Sequence, residues 1–170
     1  APTSLLRAGE PILIPPQSNQ VEHEAELAVI IGERCKNLAD DEDALMYVRG
    51  YTCLNDVTAR DLQRRDGQFM RAKSFDTFCP IGPHIETALD VSNIGVTCRV
   101  NGVEKQAGRT GQMVFPVEYL IRYISRMMTL LPGDVIATGT PSGVSRLVSG
   151  DVCEVEIEGI GVLENPVVQG

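Results

Sequence analysis

The chain has 170 residues, of which 43% are hydrophobic, and it carries a formal net charge of −8. This length and apolar content suffice for one domain with a real core, whereas the acidic balance excludes nucleic acid and anionic membranes as expected partners. The longest apolar run, Leu27 to Ile31, is far too short to cross a bilayer.

The five cysteines are scattered along the chain and form no CxxC pair. This usage favours a reducing compartment over a disulfide framework or a zinc site. The first residues show no charged start, apolar stretch and small-residue cleavage site, which a signal peptide requires. We therefore expect a cytoplasmic protein.

Apolar periodicity and turn residues predict an α+β fold in which strands outnumber helices and the sheet is mainly antiparallel or mixed. An extended surface segment is expected first. The predicted strands cover residues 24–31, 51–54, 94–100, 135–138 and 152–158, and the predicted helices cover residues 40–49, 58–65 and 117–130.

Three features make these elements specific. Asn101-Gly102 is a hairpin turn signal directly after the third strand. The last strand alternates, so Cys153, Val155 and Ile157 are expected on its buried face. The last helix carries one apolar stripe, formed by Val117, Leu120, Ile121, Ile124, Met127 and Met128.

Glu24 and Glu26 lie two residues apart on the first predicted strand, so their side chains leave the same face. At about 6 Å and an effective dielectric near 20, their repulsion is roughly 3 kcal/mol, so a lysine, an arginine or a metal is expected nearby. The alternative is a solvated pair at a strand end. Glu22 is expected to be exposed, and His23 is expected to be packed or on the surface.

Asp56 follows the second predicted strand and supplies a third carboxylate. Three carboxylate oxygens completed by water suit Mg²⁺, Mn²⁺ or Ca²⁺ better than Zn²⁺. The alternative is that Asp56 only caps the helix that follows it.

Four stretches occur in the order in which the fumarylacetoacetate hydrolase family carries them. Residues 23–27 (HEAEL) resemble its ExE metal motif, and residues 55–63 (NDVTARDLQ) resemble its D-x-[ST]-x-R-D-x-Q stretch. Residues 71–76 (RAKSFD) and residues 133–144 (GDVIATGTPSGV) resemble two further segments. The resemblance covers about residues 10–168.

This resemblance implies a β-rich mixed-sheet roll with a few flanking helices. It implies a single catalytic domain over residues 1–170, usually in a homodimer, and one alternative left open is that a lid segment precedes residue 1. It also implies that Glu24, Glu26 and Asp56 bind Mg²⁺, with Mn²⁺ or Ca²⁺ as alternatives.

The resemblance further implies roles for other side chains. Lys73 would offset the one negative charge that three carboxylates leave around a dication, and it would polarise a substrate carbonyl. Gln63 would hydrogen-bond to substrate or water. Gly139, Thr140 and Arg71 would bind a substrate carboxylate. Each has a plainer alternative: a surface ion pair for Lys73 and Arg71, an exposed helix position for Gln63, and a simple tight turn for the loop. Arg109 is a further candidate for a distal carboxylate.

Family members act on small 2-oxo acids and diacids, which can chelate a metal through a carboxylate and a keto oxygen. The expected reaction is acylpyruvate-type C–C hydrolysis or isomerisation of the 2-hydroxyhepta-2,4-diene-1,7-dioate type. Decarboxylation or tautomerisation of oxaloacetate is an alternative, and so is a non-catalytic module that binds metal and 2-oxo acid. Hydrolytic members commonly carry a Glu–His pair upstream of the ExE motif, and no histidine precedes His23 in this sequence.

Overall fold

A computed structural model describes residues 1 to 170. The strands are β1 (Leu5–Leu6), β2 (Ile12–Ile14), β3 (Val21–Glu22), β4 (Ala25–Ile31), β5 (Val48–Asn55), β6 (Thr58–Ala59), β7 (Cys79–Glu86), β8 (Gly95–Val100), β9 (Val103–Arg109), β10 (Val135–Ala137), β11 (Val152–Ile157) and β12 (Gly161–Gln169). The helices are α1 (Arg60–Asp66), α2 (Met70–Lys73) and α3 (Val117–Met127), and single 3₁₀ turns lie at Pro2–Ser4, Ala44–Tyr47 and Thr110–Gln112.

Two five-stranded mixed sheets form the body of the fold. One has the strand order β1-β7-β5-β4-β10 and the other has the order β2-β12-β11-β8-β9, while β3 and β6 form a small separate ladder. Most pairs are antiparallel, and the exceptions are β1 with β7 and β2 with β12. The predicted α+β fold with mixed sheets and few helices is confirmed.

The core lies between the inner faces of the two sheets. All seven residues of β4 are buried, as expected for a central strand covered on both faces. β11 alternates instead, with Cys153, Val155 and Ile157 buried in the core. The predicted inward face of that strand is therefore confirmed.

The predicted helix over residues 40–49 is wrong. Only the turn Ala44–Tyr47 is helical, and the side chain of Asp43 caps it by accepting the N–H of Leu45 at 3.0 Å. Val48 already pairs with Ile31 as the first residue of β5. Tertiary pairing thus overrides the local helix signal of the acidic residues at 40–43.

Two other helices are present with different bounds. α1 begins at Arg60 because Thr58 and Ala59 pair with β3. α3 ends at Met127, and its predicted apolar stripe is only partly inward. Val117 and Ile121 are buried, whereas Met127 and Met128 are exposed. No helix of the fold is both long and apolar enough to cross a membrane.

The burial of β11 gives a test of the fold. Ile157 is fully buried, so Ile157→Ala should lower the free energy of unfolding by about 2–5 kcal/mol. Val162, on the neighbouring strand, is 40% exposed, and Val162→Ala should cost less than about 1 kcal/mol. Urea unfolding measures both changes, and equal losses would contradict the assigned faces.

Candidate active site

Antiparallel pairing of β4 and β5 brings the three predicted carboxylates together. Ala25 lies opposite Asn55, and the N–H of Asp56 donates to the carbonyl of Glu24 at 2.9 Å. Glu24, Glu26 and Asp56 each place a carboxylate oxygen within 4.8 Å of the other two. We call these three residues the carboxylate cluster. The side chain of Asn55 holds the approach by accepting the N–H of Glu24 at 2.9 Å.

Lys73, the last residue of α2, lies against this cluster. Its ammonium group donates to Glu24 at 2.9 Å and also to Asp56. The Lys73 side chain is 21% exposed. It is therefore partly buried and does not form the surface ion pair that the sequence left open as an alternative. A partly buried ammonium group thus lies where it can reach a ligand on the cluster.

Arg60 is a second cation at the cluster, and sequence reasoning quoted it only as part of a motif. Its guanidinium donates to Glu22 at 2.8 Å, to the side-chain oxygen of Gln63 at 2.7 Å, and to Glu24. The expectation that Glu22 is exposed is wrong, because Glu22 is buried with 7% exposure. The β3–β6 ladder ends directly before Arg60 and brings it beside Glu22, and no local feature of the sequence indicated this pairing.

Gln63 and Arg71 differ in their placement. Gln63 is half-buried on α1 and accepts a hydrogen bond from Arg60. It does not contact the cluster directly, because Arg60 lies between them. Arg71 is exposed and forms a two-pronged ion pair with Asp66, at 2.6 Å through its Nε. The structure therefore joins Gln63 to the cluster through Arg60 and does not join Arg71 to it.

The loop of residues 138–143 closes one side of the cluster. The N–H of Gly139 donates to Glu26 at 2.8 Å. The hydroxyl of Thr140 donates to the carbonyl of Ala25 at 2.8 Å and accepts from the side chain of Gln106 at 2.8 Å. Both residues thus contact β4, which we call the cluster strand, Gly139 through its N–H and Thr140 through its hydroxyl.

Burial makes the negative charge of the cluster costly. Glu26 is 3% exposed, and desolvation, then the neighbouring Asp56 charge, raises its pKa to about 8. Desolvation also raises the pKa of Asp56, although Lys73 opposes it. Burial acts to lower the pKa of Lys73, but its ion pairs with Asp56 and Glu24 outweigh that effect and raise it.

The residues at this site fit a hard dication. Four carboxylates, those of the cluster and Glu22, face two cationic side chains, Arg60 and Lys73. Full ionisation leaves two negative charges, which a dication would neutralise. Burial, and then the neighbouring charge of Asp56, raises the pKa of Glu26, so its ionised form is unfavourable without an added cation. Carboxylate oxygens are the ligands that Mg²⁺, Mn²⁺ and Ca²⁺ prefer.

A cleft of about 500 Å³ adjoins the site on the other side of the loop. The cluster does not line it, and Gly139 is the residue that contacts both. Arg109 lies in the cleft wall and is bonded there to Asn93 and Glu158. The other side chains of the wall are mainly apolar, and they include Val96, Met113, Phe115 and Leu120.

Comparison with known proteins identifies the family. The profile described as "Fumarylacetoacetate (FAA) hydrolase C-terminal" matches residues 1–168. The chain belongs to this family. The resemblance stated from the sequence motifs is therefore confirmed over nearly the whole chain.

The relatives of this chain include uncharacterized proteins and proteins with named reactions. An uncharacterized protein of Methanocaldococcus jannaschii is 55% identical over 96% of this chain and 69% of its own length. The mitochondrial oxaloacetate tautomerase of Xenopus laevis is 46% identical over 98% of this chain and 56% of its own length. The crystal structure of 2-hydroxyhepta-2,4-diene-1,7-dioate isomerase from Mycobacterium marinum superimposes with a TM-score of 0.96, at 46% identity over 98% of this chain and 66% of that one. The chain thus spans a little over half to about two thirds of these relatives.

Replacing Glu26 by Gln should make the metal-free protein less sensitive to pH. Folded wild type keeps the Glu26 proton up to about pH 8, whereas an ordinary glutamate loses it near 4.5. The wild-type free energy of unfolding should therefore fall between those pH values, by up to about 1.4 kcal/mol per unit. Glu26→Gln keeps an acceptor for Gly139 and should lack this loss.

Thermal unfolding in EDTA between pH 5 and pH 8 measures the difference between variant and wild type. Glu33→Gln removes an exposed carboxylate and serves as the matched control. A difference between Glu26→Gln and wild type that does not grow with pH would contradict the electrostatic description of the cluster.

Proposed function

We propose that this chain carries the active site of a divalent-metal-dependent enzyme acting on small 2-oxo acids or diacids. The observation that supports it best is the carboxylate cluster, with three carboxylates from two strands within 4.8 Å of one another and Lys73 bonded to two of them. A purely structural ion-pair network would have no need for a third buried carboxylate that lacks a cationic partner.

In this proposal Glu24, Glu26 and Asp56 bind Mg²⁺, or Mn²⁺ or Ca²⁺ in its place. A bound dication would supply positive charge to the oxygens of a 2-oxo acid as an enolate develops. The Lys73 ammonium lies at the same edge and would donate a hydrogen bond to a substrate oxygen. Arg60 holds Glu24 and Gln63 in place, so Gln63 can orient a substrate or a water.

The first candidate reaction is hydrolysis or isomerisation. Acylpyruvate-type C–C hydrolysis agrees with the family description, and isomerisation of the 2-hydroxyhepta-2,4-diene-1,7-dioate type agrees with the Mycobacterium marinum structure. Both reactions pass through an enol or enolate of a 2-oxo acid, which a dication bound to the cluster would stabilise together with Lys73.

The second candidate reaction is interconversion of the keto and enol forms of oxaloacetate. The Xenopus laevis relative, an oxaloacetate tautomerase, favours it. Decarboxylation of oxaloacetate would use the same enolate. A third possibility, a non-catalytic module, would bind Mn²⁺ and oxalate and convert no substrate.

The setting of the enzyme is also a proposal. All five cysteines are free, which supports a reducing compartment such as the cytoplasm. We retain a homodimer as the expected assembly, with no nucleic acid or membrane partner, and sedimentation equilibrium tests the assembly.

An assay panel separates these candidates. The purified protein is given acetylpyruvate, 2-hydroxyhepta-2,4-diene-1,7-dioate and oxaloacetate, each with Mg²⁺ and with EDTA. Turnover of any of them that EDTA abolishes supports a metal-dependent enzyme, and the preferred substrate identifies the reaction. Binding of Mn²⁺ and oxalate without turnover would leave the binding module. The absence of both Mn²⁺ binding and turnover would overturn the proposal.

The affinity for Mn²⁺ should rise with pH and level off near pH 8. Binding requires the ionised form of Glu26, whose pKa is about 8, so affinity should increase by up to about tenfold per pH unit below that value. Titration calorimetry measures it. Near pH 8, Glu26→Gln should bind Mn²⁺ much more weakly than wild type, and unchanged affinity in this variant would remove Glu26 from the ligand set.

Lys73→Ala should keep the metal and lose turnover. The ammonium group is bonded to two proposed ligands but is not itself one, and removal of one preorganised donor costs about 100-fold or more in kcat. The control is Lys36→Ala, because Lys36 bonds only to a backbone carbonyl, that of Arg126. Wild-type turnover in Lys73→Ala would contradict its catalytic role.

A further inference from the structure

Gln106 is a buried amide on a strand that is otherwise turned to solvent. β9 is the edge strand of its sheet, and within it only Gln106 is fully buried, with 1% exposure. The β8–β9 register shifts beside it, because Cys98 pairs with Gln106 while Arg99 pairs with Glu104. Lys105 is thus an extra residue, and a bulge of this kind re-aims the neighbouring side chain.

The re-aimed side chain fills a position between the cluster strand and the loop of residues 138–143. Its oxygen accepts the N–H of Ala25 at 3.1 Å and lies 2.8 Å from Nδ1 of His23. Its nitrogen donates to Thr140 Oγ1 at 2.8 Å and to the carbonyl of Pro141 at 2.7 Å. Gln106 therefore bonds to the residue between Glu24 and Glu26 and also to the two residues that follow Gly139.

These partners dictate the orientation of the amide. A backbone N–H can only donate and a carbonyl can only accept, so the oxygen must face Ala25 and the nitrogen must face Pro141. The orientation of the amide also fixes hydrogen bonds made by its partners His23 and Thr140. Nδ1 of His23 donates to Gln106, and its Nε2 lies 2.8 Å from the hydroxyl of Ser145. The hydroxyl of Thr140 donates to the carbonyl of Ala25.

Two glycines let the loop reach this side chain. A Cβ on Gly143 would lie 2.0 Å from the carbonyl oxygen of Lys105, and a Cβ on Gly108 would lie 2.7 Å from Cβ of Pro141. The loop therefore packs directly on the bulge of β9, on both sides of Gln106. Contact this close leaves the loop little freedom as long as its polar groups are satisfied.

We propose that Gln106 is a positioning residue of the candidate active site. It fastens the loop to the cluster strand, so that the N–H of Gly139 meets the carboxylate of Glu26 at 2.8 Å. This inference rests on the proposed function. According to this inference, binding of metal and substrate depends on the side chain of Gln106, which contacts neither.

The test replaces Gln106 by Met, which keeps the length of the side chain and removes its hydrogen bonds. Asn165→Leu is the matched control, because Asn165 is 2% exposed and its amide bridges the carbonyls of Arg7 and Glu10 at 2.7 and 2.8 Å. Both variants leave two partly buried acceptors without their amide donor. Gln106→Met also leaves the N–H of Ala25 without its acceptor, and only Gln106 lies at the site. Gln106→Glu is a second variant that keeps the acceptor toward Ala25 and loses the donor toward Pro141.

The first readout is amide hydrogen exchange of the metal-free protein in EDTA. Gln106→Met and Gln106→Glu should speed exchange at Gly139 by about tenfold or more relative to the amides of β4, whereas Asn165→Leu should leave Gly139 as in wild type. Exchange at Gly139 that matches wild type in whichever Gln106 variant folds would overturn the inference. So would an increase that Asn165→Leu reproduces, because the effect would then be general loss of stability.

The second readout is Mn²⁺ affinity together with the KM and kcat of the preferred substrate. Loss of an outer partner of a metal site typically costs about 10–100-fold in affinity or activity, so the Gln106 variants should weaken Mn²⁺ binding or raise KM by that factor while Asn165→Leu does neither. Wild-type binding and kinetics despite a loosened loop would overturn the positioning role. If wild type itself binds no Mn²⁺ and converts no substrate, the proposed function fails, and exchange at Gly139 still decides whether Gln106 anchors the loop.

Discussion

The site depends on the register of one antiparallel pair. Because Ala25 lies opposite Asn55, the chain leaves β5 beside the start of β4, and Asp56 arrives next to Glu24. A slip of one residue would turn the glutamates to the other face of the sheet. The register is firmly set, since a slip would turn the carboxylates of the glutamates toward the core face that Ala25 and Leu27 now fill.

The same burial accounts for the chemistry that the cluster can support. Carboxylates in a poorly solvated position repel each other strongly, and they are retained only where cations or protons offset the charge. Arg60 and Lys73 offset part of it, and Glu26 keeps its proton to about pH 8. Ionised Glu26 would add a negative charge that no cation bonded to it offsets, and a bound dication would offset that charge in place of the proton.

Much of this arrangement could be predicted from local sequence. Alternation along residues 24–31 placed Glu24 and Glu26 on one face, and the family motifs identified Asp56 and Lys73 as their companions. Such inferences succeed because they use short-range periodicity, or residues that the family keeps in one order.

Other features lay beyond local sequence because they arise from pairing over long distances. The acidic residues before Ala44 mimic the start of a helix, yet Val48 is taken into β5 by Ile31. Glu22 was expected in solvent, because nothing near it in the sequence indicates that Arg60 will lie opposite. Gln106 sits in the polar stretch VEKQAGR, whose composition predicts an exposed strand, and only the bulge at Lys105 turns it inward.

The complete burial of β4 also bears on how such a protein can diversify. Almost any substitution along that strand would disturb the core, so the carboxylates that it carries are locked to the stability of the fold. Gln63, Lys73 and Gly139 instead belong to short helices and a loop at the periphery, where replacement is less costly. On the proposed function, the residues that bind the cation would stay fixed by the fold, while those around them could vary with the substrate.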